Sequence, residues 1–308
     1  MNTILAGTYT TPGQSRGVYR LTFDGAHLSA PELVMDMRDP SYLLMDGEDL
    51  LAVDENLSGT GMLVRAEKKD GGYARVMSRD TEGIHPCHLA VWDGWTAVAN
   101  YTSGSVLLLN PGMGKRQLFP GHHGGPNAER QESAHAHFVV FAPPFLFACD
   151  LGADQIRRFH LEGEEWKELC PVDLPGGIGP RHMVVRENRI FLITELSREL
   201  LVLDRDFRIL SRTALAREGT GAALKTDGQR LYLTLRGPDL VKVFSMEDTP
   251  SLLASFPAGG EQPRDLLPLP DGILVACQAG SQVVALSHEG RVLDRQPLGH
   301  CVCLIREE

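Results

Sequence analysis

One short signature returns seven times along this 308-residue chain, and its spacing narrows the possible folds more than any other feature. A proline or other residue is followed by two variable residues and an apolar run: Pro40-Ser-Tyr-Leu43, Pro86-Cys-His-Leu89, His135-Ala-His-Phe138, Pro180-Arg-His-Met183, Gly221-Ala-Ala-Leu224, Pro263-Arg-Asp-Leu266 and Cys301-Val-Cys-Leu304. Successive copies start 38 to 49 residues apart, which is the length of one four-stranded propeller blade. Within each unit a second apolar run ends on a polar residue, as in TAVAN, FLFACD and ILVACQ, and a turn leads to a third, such as SVLLLN or QVVALS. Short β-branched runs dominate and helical spacing is nowhere sustained, so the expected class is all-β.

The ends of the chain complete the count. The 39 residues before Pro40 and the eight from Cys301 onward together supply one more unit of 47. The prediction is a seven-bladed β-propeller over residues 1–308, one domain, with the ring closed by pairing of the N- and C-terminal strands. Closure has a physical motive, because an open sheet edge invites aggregation and a ring leaves only short, protected edges. Two separate β-sandwiches would need a linker, and no Ser- or Pro-rich stretch interrupts the repeats.

Charge removes several classes of partner. With 30 basic against 40 acidic side chains the formal charge is −10, the wrong sign for general nucleic-acid or membrane-surface binding. The longest apolar run, Phe138 to Cys149, is cut by Pro143 and Pro144 and falls short of a membrane span. The first residues carry neither a basic leader nor an apolar stretch before a cleavage site, so a cytoplasmic protein is expected. Its six dispersed cysteines are expected to be reduced. Nothing in the sequence sets an oligomeric state.

In an up-and-down blade the innermost strand starts at the face where the second strand ends. The signature and the polar strand ends therefore share one mouth. The signature contributes Tyr42, His88, His135, His137, Arg181, His182, Arg264 and Asp265, and the second strands contribute Asn100, Asp150, Glu195, Arg236 and Gln278. Gathering so many titratable groups on one axis costs free energy unless they are paired. Guanidinium forks match carboxylate and phosphate oxygens, so the mouth reads as an anion-binding pocket capable of acid/base chemistry. The alternative is that these arginines pair with Asp150, Glu195 and Asp265 to hold neighbouring blades together. No HExxH, acidic cluster, GxSxG or phosphate-cradling loop is present, so neither a metal nor another cofactor is expected.

Longer segments carry a family resemblance. They are Gly7-Thr-Tyr-Thr10, His85-Pro-Cys-His-Leu89, Ala99-Asn-Tyr-Thr-Ser-Gly-Ser-Val106, Gly125-Pro-Asn127 with Arg130-Gln131 and His135-Ala-His137, Asp150-Leu-Gly-Ala-Asp154, Gly179-Pro-Arg-His182, Thr194-Glu-Leu196 and Gln262-Pro-Arg-Asp265. In these the chain resembles the seven-bladed β-propeller lactonase family that contains bacterial 6-phosphogluconolactonases and fungal 3-carboxy-cis,cis-muconate lactonizing enzymes. The resemblance implies catalytic roles for His135, Arg181, Glu195 and Arg264. It also implies a lactone hydrolase acting on an anionic sugar lactone, 6-phosphogluconolactone foremost. Arg181 and Arg264 would hold phosphate and developing oxyanion, and Glu195 or His135 would draw a proton from water. His137, His88, His182, Arg236, Gln278 and Asn100 are the expected substrate-binding groups. The chain departs from the family at Leu235-Arg-Gly237, often Asn-Arg-Gly, and at Ala276-Cys-Gln278, often Ala-Asn-Gln. A lactonizing reaction on a dicarboxylate is the second expectation, and a non-catalytic binding scaffold the third.

Overall fold

The computed structural model describes residues 1–11 and 13–307. Seven four-stranded antiparallel sheets follow one another around an axis. Their innermost strands are Pro40–Asp46, Pro86–Trp92, Ala136–Ala142, Pro180–Arg186, Thr220–Thr226, Pro263–Leu269 and Cys301–Arg306, which number the blades 1 to 7. Each predicted signature lies at the head of one of these strands. Proline suits a strand's first position because no ladder hydrogen bond is asked of its nitrogen.

The expected closure is present. In blade 7 the sheet order runs from Cys301–Arg306 through Asn2–Thr8 and Gly17–Phe23 to Glu32–Asp36, with Ala6 opposite Leu304 and Leu5 opposite Ile305. Gly7 sits where this closing blade meets blade 1. A Cβ there would lie 2.2 Å from the Pro40 carbonyl oxygen, so only glycine admits the approach. Across the same seam Glu307 receives Arg20 Nε at 2.6 Å, Tyr73 Oη at 2.9 Å and Lys68 Nζ at 3.0 Å.

The core is divided among the seams between neighbouring blades, as in the cluster of Ala97, Leu108, Val139, Leu146, Phe159 and Trp166 between blades 2 and 3. Second strands are packed on both faces and are buried along most of their length, as Trp95–Asn100 shows. They therefore read as continuous apolar runs, whereas the outermost strand Ile209–Ala214 alternates half-buried and exposed positions. Among the described residues helix is limited to one 3-10 turn, Pro111–Met113, and no helix is long and apolar enough to cross a membrane. The six cysteines are unpaired, five of them buried.

Candidate functional site

Two local devices aim side chains into the mouth. The first is a β-bulge near the head of the inner strand. Pairing skips Ser41, Cys87, His137, Arg181, Arg264 and Val302 in six blades, and the skip in blade 5 spans Ala222 and Ala223. A bulge turns its extra side chain away from the ladder. The second is the residue that leaves the second strand. Its backbone N–H donates to the carbonyl just ahead of the inner strand: Glu195 to Gly179 at 2.7 Å, Tyr101 to His85 at 2.8 Å, Glu55 to Asp39 at 3.1 Å, Gln278 to Gln262 and Tyr9 to His300 at 3.0 Å. Asp39, His85, Gln262 and His300 take left-handed backbone conformations there, with φ of 39°, 56°, 55° and 45°. This uncommon conformation for non-glycine residues makes the sharp turn.

These registers correct two alignments expected from sequence. Glu195 corresponds to Tyr101 and Leu151, not to Asn100 and Asp150, because Pro180 pairs with Thr194 whereas Pro86 pairs with Asn100 and Ala136 with Asp150. Asn100 is accordingly completely buried, donating to the Thr81 carbonyl and Ser105 Oγ at 3.1 Å each. It is a strut between two blades and presents no surface to a ligand. Asp150 is likewise scaffold, accepting from the His135 and Ala153 backbone at 2.8 and 3.0 Å. The second correction concerns His137. It occupies the bulge with Arg181 and Arg264, whereas His88 and His182 lie one position further in, level with Tyr42 and Phe138.

Glu195 is the electrostatic centre. Its carboxylate is buried and holds three guanidiniums: Arg130 Nη2 at 2.5 Å, Arg181 Nε at 2.9 Å and Arg236 Nη2 at 2.9 Å. Burial alone would raise its pKa, but Arg236, Arg181, His137 and Arg130 outweigh it and hold the carboxyl well below the usual carboxylate range. Arg181, also buried, is pushed down to about 10 by burial and by the neighbouring Arg236. The expected blade-joining ion pairs therefore exist at Glu195, but Asp150 and Asp265 do not receive arginine. Asp265 instead takes Lys225 Nζ at 2.8 Å.

Arg264 behaves differently. Its Nη2 donates to Tyr9 Oη at 2.7 Å, its guanidinium lies 5.1 Å from the Tyr9 ring centroid, and Nη1 reaches Gln278 Oε1 only at 3.5 Å. Tyr9 in turn donates to Glu55 Oε2 at 2.8 Å. Burial works against the charge on Arg264, but Tyr9 and Glu55 more than compensate and raise its pKa. Among the described residues this half-buried fork makes no direct ion pair.

The histidines form the remaining wall and the floor. His135 stacks on Tyr101 with ring centroids 4.5 Å apart, its Nδ1 3.0 Å from the Tyr101 carbonyl and its Nε2 3.2 Å from Glu132. His182 Nε2 lies 3.0 Å from Arg181 Nη1, a geometry in which only the ring nitrogen can accept. His88 packs between Tyr42 and Phe138, both at 4.0 Å. Burial first, then neighbouring cations, lowers the pKa of His88, His137 and His182 well below the ordinary imidazole value. Among the described residues no group of three or more His, Cys, Asp or Glu is disposed to hold a metal ion.

Sequence reasoning assigned no role to Arg130, Tyr101, Tyr9 or Glu55. The last three occupy the positions where the chain leaves the second strands of their blades, and Arg130 reaches in from the long loop between blades 2 and 3, near Tyr101 Oη at 3.3 Å.

Three arginines meet one buried carboxylate at the axial mouth of a seven-bladed propeller, and a fourth, Arg264, stands beside them on Tyr9. The chain matches the family described as "Lactonase, 7-bladed beta-propeller" over residues 3–292, and it belongs to that family. It is 28% identical over 301 residues to a protein named 6-phosphogluconolactonase from Bacillus subtilis, covering 88% of this chain and 86% of that one. The structure of a periplasmic gluconolactonase, PpgL, from Pseudomonas aeruginosa superposes with a TM-score of 0.88 at 26% identity, covering 99% of this chain and 98% of the other. A Lactobacillus plantarum protein shares the fold with a TM-score of 0.88 at 24% identity, covering 100% and 99% of the two chains.

Proposed function

We propose that the chain hydrolyses an anionic sugar lactone, with 6-phosphogluconolactone as the foremost substrate. The observation that carries this reading is the asymmetry of the mouth: three guanidiniums pair directly with Glu195, while Arg264 is oriented by Tyr9 and, among the described residues, meets no carboxylate directly. The relative named 6-phosphogluconolactonase supports the substrate class.

In this reading Arg264 binds the phosphate, and Arg181 and Arg236 present positive charge to the carbonyl oxygen as it becomes an oxyanion. Gln278 adds a polar contact beside Arg264. Of the two proton acceptors expected from sequence, Glu195 is the weaker candidate, because its carboxylate oxygens are already taken by Arg130, Arg181 and Arg236. Its part is to align the guanidiniums. Proton transfer then falls to the histidines of blade 3. The cytoplasmic location expected from sequence belongs to this proposal, and the unpaired cysteines agree with a reducing compartment.

The test is a substrate panel: freshly made 6-phosphogluconolactone corrected for its spontaneous opening, δ-gluconolactone, and 3-carboxy-cis,cis-muconate. Fastest turnover of the phosphorylated lactone is expected. Turnover of the muconate alone would transfer the site to a lactonizing reaction, and binding without turnover of any member would make the propeller a scaffold.

A further inference from the structure

We propose that His137 is the group that takes the proton from the attacking water, an assignment that rests on the lactonase reading and deepens it. Three independent placements lead to it. His137 is the bulged residue of blade 3, in the same register as Arg181 of blade 4 and Arg264 of blade 6, so the bulge that aims the two anion-holding arginines aims this imidazole as well. Its Nδ1 is a buried polar atom without a hydrogen-bond partner, which leaves it free to accept a proton; His88 Nε2 is also unpartnered, but His88 lies one position further in, off the bulge that carries Arg181 and Arg264. The two proton acceptors expected from sequence are occupied: both ring nitrogens of His135 face acceptors, the Tyr101 carbonyl and Glu132, and Glu195 is saturated by Arg130, Arg181 and Arg236.

The surroundings suit a neutral base. The ring lies edge-on to Tyr101 at 5.7 Å and 5.4 Å from His182, and Cys87 Sγ contacts its backbone carbonyl. The charges acting on it are Arg181, Arg264 and Glu195, with His88 close by. Burial and Arg181 disfavour a resting imidazolium, so the ring enters the reaction unprotonated. Water oxygen bonds to the lactone carbonyl carbon while its proton passes to His137, and the electron pair of the C=O bond moves to the oxygen facing the arginines. When the intermediate collapses, the bond from carbon to the ring oxygen breaks and the leaving alkoxide takes the proton back from His137. The product is the open hydroxy acid, which then ionises, and the imidazole returns to its starting state.

The experiment compares wild type, His137→Gln, His137→Ala and His135→Gln on fresh 6-phosphogluconolactone, with 6-phosphogluconate affinity as the control for binding. The expected result is a loss of kcat of about 10²-fold or more in both His137 variants, product affinity within about threefold, partial recovery of His137→Ala by added imidazole, and a much smaller loss in His135→Gln. A kcat in His137→Gln within about threefold of an active wild type, or a loss in His137→Ala that imidazole leaves untouched, overturns the base while sparing the lactonase reading. A wild type that leaves every lactone at its spontaneous rate overturns the reading and the base together. Melting curves screen the variants, and His137→Asn, which keeps a polar atom near the Nδ1 position, replaces any that fails to fold.

Discussion

At the residue scale the mouth is governed by one carboxylate and the cations it organises. Replacing Glu195 by Gln removes the negative charge but leaves Arg181 almost wholly buried and uncompensated, and breaking a buried pair from one side costs about 3–5 kcal/mol. The variant should melt several degrees below wild type, and its kcat should fall by about 10²-fold because misplaced guanidiniums no longer meet the reacting carbonyl. Differential scanning calorimetry and initial rates check the two halves of this prediction separately. Arg264 should act through binding. Arg264→Ala is expected to weaken 6-phosphogluconate by about 1.5–3 kcal/mol, the range for hydrogen bonds to charged groups, and Arg264→Lys should recover only part of it because an ammonium cannot reproduce the planar fork. Titration calorimetry reads both. Equal affinity in wild type and Arg264→Ala would remove this arginine from the anion site.

At the element scale the strands were legible and the bulges were not. Pro40, Pro86, Pro180 and Pro263 mark strand heads because proline is tolerated there, and the second strands declare themselves as apolar runs because both faces are packed. A bulge inserts one residue without a compositional cue. The reading of His135-Ala-His137 therefore slipped by one position against Pro180-Arg-His182, and Asn100 passed for a lining residue although Tyr101 beside it is the one that faces the mouth. Arg181, Arg236, Arg264 and Glu195 were found because their chemistry is conspicuous on an apolar axis. Arg130 carries part of the family resemblance, but its place at the mouth is not legible in sequence, since a loop's path to a pocket is set by tertiary packing. The seams give a prediction of their own. Gly7→Ala forces a Cβ against the Pro40 carbonyl oxygen and should destabilise the protein by about 1–3 kcal/mol, as overpacking generally does. Urea unfolding should show the drop at unchanged slope.

At the scale of the whole molecule, stability depends on holding two ends of the chain in one blade. Glu307 is the clasp, joining the terminal strand's exit to Arg20 of blade 7 and to Lys68 and Tyr73 of blade 1. Burial opposes its ionisation, but Arg20, Lys68 and Tyr73 prevail and bring its pKa down to about 2. A carboxyl depressed on folding contributes stability that is fully present above its unfolded pKa and is lost as pH falls through the folded one. The clasp should hold at neutral pH and weaken between about pH 4.5 and 2, with Glu195 adding to the loss in the same direction. Glu307→Gln should melt lower than wild type at pH 7, and the gap should shrink toward pH 3. A gap that stays constant from pH 7 to 3 would mean that the charge on Glu307 does not hold the ring.

In the proposed function, the ring brings Arg264, which pairs directly with no carboxylate among the described residues, and a set of aligned guanidiniums to a common opening where an anionic ester is held and attacked. The most direct measurement is the ratio of kcat/KM for fresh 6-phosphogluconolactone over δ-gluconolactone in wild type and in Arg264→Ala. A strong preference for the phosphorylated lactone in wild type, falling at least tenfold in the variant, is the predicted result. A ratio near one in wild type, or one that the substitution leaves unchanged, would contradict it.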